Sequence, residues 1–179
     1  MSQKNQKFLI REALEEEYEN IGKLTVEVYS NLPNMPSEDE MPKYYSLLRG
    51  TRKRAEMLTV KIFVAVGSQN ELLGCVTFVG DMKYYASGGR APSIKDSSGF
   101  RLLAVGPNAR GLGVGRALTE YCISKAQELG SSQMVMHTTK SMQVAWAMYE
   151  RMGFKPMPEI DFQQASLSVY GFCLSLGSR

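Results

Sequence analysis

The sequence has few of the residues that build metal sites and covalent cross-links. Its 179 residues include one histidine, His137, and three cysteines. A single histidine argues against a histidine-based metal centre. The cysteines are far apart, form no Cys-x-x-Cys pair and each lie within an apolar stretch. We therefore expect free thiols that pack in the core of a protein from a reducing compartment.

Long apolar runs and a strong charge imbalance are also absent. No apolar run reaches 18 residues and the first seven residues are polar, so we expect no membrane association and a cytoplasmic protein. The net charge of +3 is too small to indicate nucleic-acid binding. The densest basic cluster (Arg49, Arg52, Lys53, Arg54) fits a solvated helix face, or alternatively a patch that attracts an anionic ligand.

The sequence instead carries the composition and patterning of a globular α/β domain, 44% apolar and 22% charged. We expect one domain over residues 1–179. Hydrophobic periodicity predicts the order strand, two helices, three strands, helix, strand, helix and two strands. This order indicates a mixed sheet with helices on its faces. Segment 81–98 is long for a loop, which makes it a candidate lid or substrate loop.

A glycine-rich turn at residues 110–116 lies between a predicted buried strand, 100–105, and a predicted amphipathic helix that begins near Val114. The first amides of a helix have no intrahelical partner, and the helix dipole makes that end partly positive. Glycines allow positive φ and close approach of the backbone, while Arg110 and Arg116 add charge. A diphosphate is the natural ligand of such a turn.

Three kinds of phosphate-binding turn compete for this segment. The P-loop requires a Lys-Ser/Thr step that is missing here. The dinucleotide fingerprint requires a third glycine where Arg116 stands, and an acidic residue about 20 positions later that is also missing. The remaining pattern, Arg-x-x-Gly-x-Gly, is met in full by Arg110, Gly113 and Gly115.

That pattern resembles the coenzyme A loop of the GNAT acetyltransferase superfamily. Residues 102–107 (LLAVGP) are similar to the strand and turn that precede the loop in that family. Residues 145–154 (AWAMYERMGF) resemble its Ala-x-x-x-Tyr-x-x-x-Gly-Phe helix ending. The specific resemblance covers about residues 98–156. It implies an α/β fold with a central mixed, mostly antiparallel sheet of six or seven strands and about four helices on both faces.

The resemblance implies acetyl-CoA as the co-substrate and assigns residues to its binding: Leu103, Val105, Arg110, Gly111, Gly113, Val114, Gly115, Arg116 and Ser141. Many family members have an asparagine where Met142 stands here, and Ser141 is the nearest substitute for its contact with the pantetheine arm. Because family members are often dimers, a homodimer is also expected.

Attack of an amine on a thioester requires a neutral amine, a stabilised oxyanion and a protonated leaving thiolate. The resemblance assigns thiolate protonation to Tyr149, and oxyanion binding to the backbone amide of Val105 or Leu103. It assigns no base, because the strand at 100–105 has no carboxylate. The open candidates are a water relay and four side chains: Asp96, His137, Glu159 and Asp161.

The resemblance implies that the acceptor is a primary amine on a small molecule or a peptide, and the sequence leaves its identity open. Tyrosines in the segments that wall the acceptor in this family are candidate contacts: Tyr29, Tyr44, Tyr45, Tyr84 and Tyr85. Two other hypotheses stand beside the N-acetyltransferase. One is a non-catalytic acyl-CoA-binding regulatory module, and the other is a dinucleotide-binding oxidoreductase.

Overall fold

The computed structural model describes residues 8–177, which form eight strands and five α-helices. The helices are α1 Tyr18–Ser30, α2 Pro42–Arg49, α3 Thr51–Ala55, α4 Val114–Glu128 and α5 Gln143–Arg151. The strands are β1 Phe8–Glu12, β2 Val60–Gly67, β3 Leu72–Val79, β4 Ser97–Val105, β5 Gln133–Thr138, β6 Lys155–Pro156, β7 Phe162–Gln164 and β8 Leu167–Ser175. No helix in this described range is long and apolar enough to cross a membrane.

The strands form a single mixed sheet in the order β1-β2-β3-β4-β5-β8-β6, with β7 paired to β8. Every neighbouring pair is antiparallel except β4 and β5. Those two strands pair in parallel over three residues only, Ser97–Gly99 against Gln133–Val135. Beyond Gly99 they share no ladder pair, so a gap opens between them toward their carboxyl ends.

Alternating side chains of the central strands feed two separate hydrophobic layers. On β2, Phe63 and Ala65 face the layer that contains α4 and α5, whereas Ile62, Val64 and Val66 face α1 and α2. This is the two-residue period expected of a strand buried on both faces. The helices therefore cover both faces of the sheet.

A β-bulge interrupts this alternation in β4. Cys75 pairs with Ala104 and Thr77 pairs with Arg101, so one residue of β3 is opposite two residues of β4. Leu102 takes a positive φ of 54° at this point. Phe100 and Leu103 pack in the α4 layer, whereas Arg101 and Leu102 both line a cavity on the other side. The bulge thus turns two successive side chains to the same face.

The predicted fold class is confirmed, with differences in detail. The sheet has eight strands instead of six or seven, because the short strand β7 carries no alternating pattern long enough to predict. The second predicted helix is interrupted at Gly50, the residue at which the sequence indicates a break, and forms α2 and α3. Segment 81–98 is not wholly a loop, since two 3-10 turns lie within it and its last two residues open β4.

Candidate active site

The glycine turn before α4 presents several unpaired backbone amides to solvent. Gly111 and Gly113 adopt φ of 77° and 83°, and a Cβ on either would meet no atom within 4 Å. Helix α4 begins with no side-chain cap and no acidic residue in its first turn. Within residues 8–177, five amides of the turn have no backbone acceptor: Gly111, Gly113, Val114, Gly115 and Arg116. This arrangement suits an anion with several oxygens.

The two arginines of the turn differ in their pairing. Arg110 is exposed and forms no ion pair with any residue of the described range, whereas Arg116 bonds Glu120 one turn along α4 at 2.7 Å. The net positive charge next to the free amides therefore comes mainly from Arg110 and the helix dipole. Exposure of this kind allows Arg110 to reach a bound phosphate.

Gly115 places the start of α4 against both β4 and α5. A Cβ on Gly115 would lie 3.4 Å from Cγ2 of Val105, and 3.9 Å from both Cδ2 of Leu103 and Sδ of Met148. The turn before α4 and the end of β4, both predicted to bind coenzyme A, therefore meet helix α5 at this glycine. Ser141 lies in the turn before α5, partly buried, and its hydroxyl makes no hydrogen bond to any described residue.

Tyr149 lies on α5 and is 3% exposed. Its ring packs 5.8 Å from the ring of Phe100 and 5.7 Å from that of Phe154. Its hydroxyl makes no hydrogen bond within residues 8–177, yet it is not among the fully buried polar atoms. Burial raises the pKa of Tyr149 well above that of a free phenol, so the group stays protonated at neutral pH.

Tyr149 also interacts electrostatically with Tyr29 in the opposite helix layer. The pKa of Tyr29 on α1 is raised by burial first, and then by the neighbouring phenols of Tyr44 and Tyr149. Tyr29 and Tyr44 line the cavity on the α1 side of the gap, together with Tyr85, Arg101, His137 and Met142. Tyr149 is therefore coupled electrostatically to one residue of the cavity wall.

Of the four side chains considered as bases, only His137 lines this cavity. Asp96 is exposed at the beginning of β4, nine residues before Val105 and so about 30 Å away along an extended strand. Glu159 is exposed, and Asp161 accepts a hydrogen bond from the amide of Gly171 at 2.7 Å. The three carboxylates are therefore outside the cavity wall.

Both ring nitrogens of His137 already have hydrogen-bond partners. Nε2 lies 2.9 Å from the carbonyl oxygen of Ile160, and Nδ1 lies 3.2 Å from the hydroxyl of Tyr85. Because a carbonyl only accepts, Nε2 carries the proton. In the neutral ring Nδ1 is an acceptor, and it competes for the Tyr85 hydroxyl proton with the carbonyl oxygen of Phe100, which lies 3.3 Å from that hydroxyl. Burial, and secondarily the charge of Arg101, lowers the pKa of His137 despite these contacts, so the ring is neutral.

Two arginines of this region were not predicted as site residues. Arg101 interrupts an otherwise apolar strand, and this lone charge was the signal available in the sequence. Arg54 belongs to the basic cluster for which a solvated helix face was one explanation. That explanation is wrong for Arg54, which is 5% exposed and donates to the carbonyl oxygens of Leu47 and Leu48 at the end of α2.

Comparison with known proteins gives a family match for most of the chain. Residues 25–154 match the model of the acetyltransferase (GNAT) family. A mycothiol acetyltransferase from Geodermatophilus obscurus is 38% identical over 53 residues, which make up 30% of this chain and 17% of that protein.

Solved structures share the fold at low sequence identity. A GNAT acetyltransferase from Staphylococcus aureus Mu50 has a TM-score of 0.72 at 14% identity, covering 95% of this chain and 99% of that one. A GCN5-related N-acetyltransferase from Kribbella flavida has a TM-score of 0.67 at 17% identity, covering 96% of this chain and 99% of that one. An acetyltransferase from Salmonella typhimurium, solved with its cofactor acetyl-CoA, has a TM-score of 0.65 at 18% identity, covering 97% of this chain and 96% of that one. Because its family model matches well over half of the sequence, this chain belongs to the acetyltransferase (GNAT) family, whose co-substrate is acetyl-CoA.

Proposed function

We propose that this protein transfers the acetyl group of acetyl-CoA to a primary amine by direct attack, with Tyr149 protonating the departing thiolate. The observation that carries the proposal is the convergence at Gly115. There the free amides of the α4 turn, the end of β4 and helix α5 with Tyr149 come together beside the gap in the sheet. The family match and the acetyl-CoA bound in the Salmonella relative support this assignment.

The diphosphate of the coenzyme would be held by the turn before α4. The amides of Gly111, Gly113 and Val114–Arg116 would donate to its oxygens, with Arg110 adding charge. Glycine at positions 111 and 113 matters because both have positive φ and lie open to solvent, so the backbone itself forms the binding surface.

The acyl arm would then run toward the gap beside β4. After Gly99 this strand has no ladder partner on its β5 side, which leaves that edge free for a ligand. Leu103 and Val105 lie on this stretch, next to Gly115 and Met148. The backbone amide of Val105, or that of Leu103, would stabilise the oxyanion of the tetrahedral intermediate. Ser141 would contact the pantetheine arm in place of the asparagine common in the family.

Collapse of the intermediate breaks the carbon–sulfur bond, and the electron pair stays on sulfur. The Tyr149 hydroxyl has a proton to give, because its raised pKa keeps it un-ionised, and it has no competing hydrogen bond within residues 8–177. A thiolate near an apolar wall of Phe100 and Phe154 is poorly solvated, so its protonation lowers the barrier.

We infer that no side chain acts as a dedicated base and that the amine proton leaves through water. The three candidate carboxylates are off the cavity wall, and Nδ1 of His137 is taken by the hydroxyl of Tyr85. The positive charge of Arg101 in a cavity wall without carboxylates disfavours an ammonium ion, so the amine is bound in its neutral, nucleophilic form.

The test is release of free coenzyme A thiol that requires both acetyl-CoA and an amine. Calorimetric titration with acetyl-CoA, with NADH as the control ligand, comes first. Micromolar acetyl-CoA binding followed by amine-dependent thiol release supports the enzyme. Tight binding with no release across a broad amine panel would favour a non-catalytic acyl-CoA-binding module, and tight NADH binding would favour an oxidoreductase.

A further inference from the structure

The acceptor cavity, as we call the cavity on the α1 side of the gap, carries one full charge in its wall, that of Arg101. Its other residues are apolar, aromatic, hydroxylic or amide side chains, with His137 neutral, and none is a carboxylate. A cavity shaped for a polyamine or another polycation would need anionic side chains to replace the hydration of a second ammonium group. This wall offers a cation instead.

The Arg101 side chain is held in place by hydrogen bonds, but not all of its N–H donors are used. Its Nη1 donates to the carbonyl oxygens of Tyr85 and Ala86, each at 2.6 Å, and its guanidinium carbon lies 5.5 Å from the centre of the Tyr85 ring. Its Nε and Nη2 make no hydrogen bond to any residue of the range 8–177. They are not among the fully buried unpartnered atoms either, so both are accessible, and the Arg101 side chain lines the cavity. Two free donors on one planar group match the two oxygens of a carboxylate.

A second arginine strengthens the positive field behind Arg101. Arg54 is buried, and its Nε is the one buried side-chain polar atom without a partner in the described part of the chain. Arg54 lines a small cavity next to the first, and Arg101 and Tyr85 belong to the walls of both. Burial, together with the nearby charge of Arg101, lowers the pKa of Arg54 to about 10.

Neither arginine has a counter-ion among the described residues. The eight ion pairs within residues 8–177 all involve other side chains. A buried guanidinium such as that of Arg54, with a second guanidinium nearby and no carboxylate, is costly. A bound anion would offset that cost, and the ligand expected in this cavity is the acetyl acceptor.

We propose that the acceptor is an amine that also carries a carboxylate, as a free amino acid does, and that Arg101 binds this carboxylate through Nε and Nη2. This rests on the proposed function, since it names the acceptor class of the same site. Arg101 fixes the orientation of the acceptor, and the buried Arg54 adds to the potential that selects an anion. The bulge at Leu102 is the backbone feature that turns Arg101 into the cavity.

The experiment compares matched acceptors in the acetyl-CoA-dependent thiol-release assay. The panel holds the common L-amino acids, their carboxamides and the corresponding decarboxylated amines. At least one amino acid should react with a kcat/KM at least about tenfold above those of its amide and its amine, as expected for a charge-assisted hydrogen-bonded pair. Equal or better turnover of the amides and amines would overturn the proposal.

Variants then assign the preference to Arg101. Arg101→Gln should reduce the ratio of acid to amide kcat/KM toward one, while Arg101→Lys should retain part of it. The matched control is Arg90→Gln, which removes an exposed charge from the neighbouring segment and should leave the ratio unchanged. A purely structural role of Arg101 would lower turnover of acid and amide together, so an unchanged ratio in Arg101→Gln would contradict the proposal. If that variant does not fold, the wild-type preference alone decides.

Acetyl-CoA titration separates the two possible failures. Normal acetyl-CoA binding with no turnover of any amino acid would overturn the acceptor class and leave the cofactor assignment standing. Absence of acetyl-CoA binding would overturn the proposed function, and this inference with it.

Discussion

The ring of Tyr149 packs 5.8 Å from the ring of Phe100, which places a buried phenol on α5 directly beside the strand that carries the expected oxyanion contacts. Ring packing fixes the position of the phenol, while its hydroxyl has no hydrogen bond within residues 8–177 to lose. Removing the hydroxyl oxygen of Tyr149 therefore tests its role as a proton donor without disturbing the packing of its ring.

We expect Tyr149→Phe to keep acetyl-CoA affinity and to slow turnover about a hundredfold, because only proton donation to the thiolate is removed. The free energy of unfolding should change by less than about 1 kcal/mol, since no hydrogen bond is broken. Tyr121→Phe is the matched control, because Tyr121 on α4 is a partly buried phenol whose ring packs 4.8 Å from the ring of Phe63 on β2. Equal turnover of Tyr149→Phe and wild type would remove Tyr149 from the mechanism.

Gly115→Ala should maintain or raise the stability of the protein and weaken its binding of acetyl-CoA. The added methyl group would be in ordinary contact with Val105 at 3.4 Å, and alanine is the better helix former by roughly 0.5–1 kcal/mol. The same methyl group would fill the groove between Val105 and Met148. We expect thermal stability to be equal or higher and acetyl-CoA affinity to fall at least about tenfold. Unchanged affinity would place the acyl arm elsewhere.

His137→Gln should change the pH dependence of stability and leave turnover within a few-fold of wild type. The folded protein holds His137 with a lowered pKa, through burial and then Arg101, with opposing contributions from the Ile160 carbonyl and Asp161. Below about 6.5 the unfolded chain therefore binds more protons than the folded protein. The neutral, buried His137 therefore stabilises the folded protein above that pH, and this contribution to the free energy of unfolding is lost as the pH falls through the folded pKa of His137.

Urea unfolding of both proteins at several values between pH 5 and 7 measures this effect. Wild type should lose stability more steeply than His137→Gln, because the chain has no other histidine to titrate in this window. If the free energies of unfolding of wild type and His137→Gln changed in parallel with pH, the lowered pKa of His137 would be contradicted. A loss of turnover above about a hundredfold in the variant would instead make His137 the base.

The glycine turn was predictable because its requirement is local. The pattern of Gly111 and Gly113 indicated backbone with positive φ before a helix, and both residues adopt it at 77° and 83°. The order of helices and strands along the chain followed from hydrophobic periodicity in the same way. These features depend on neighbours along the chain.

Arg101 shows what local patterns could not provide. An arginine in an apolar strand would have been assigned to one face or the other by simple alternation, but the bulge at Leu102, with φ of 54°, turns both side chains to the cavity. Burial of Arg54 likewise depends on how α3 packs against β2, and the sequence could not show that none of the three carboxylates considered as bases lines the cavity. Each of these depends on tertiary contacts.

Acetyl-CoA titration of Gly113→Glu beside Gly130→Glu tests the central claim most directly. Both glycines have positive φ, 83° and 76°, and both have open space around the missing Cβ, so the two variants share the same backbone strain and added charge. Gly113 lies at the start of α4 and Gly130 just beyond its end. We predict that Gly113→Glu loses acetyl-CoA binding while Gly130→Glu binds like wild type. Equal binding by both folded variants would contradict a diphosphate site at the turn before α4.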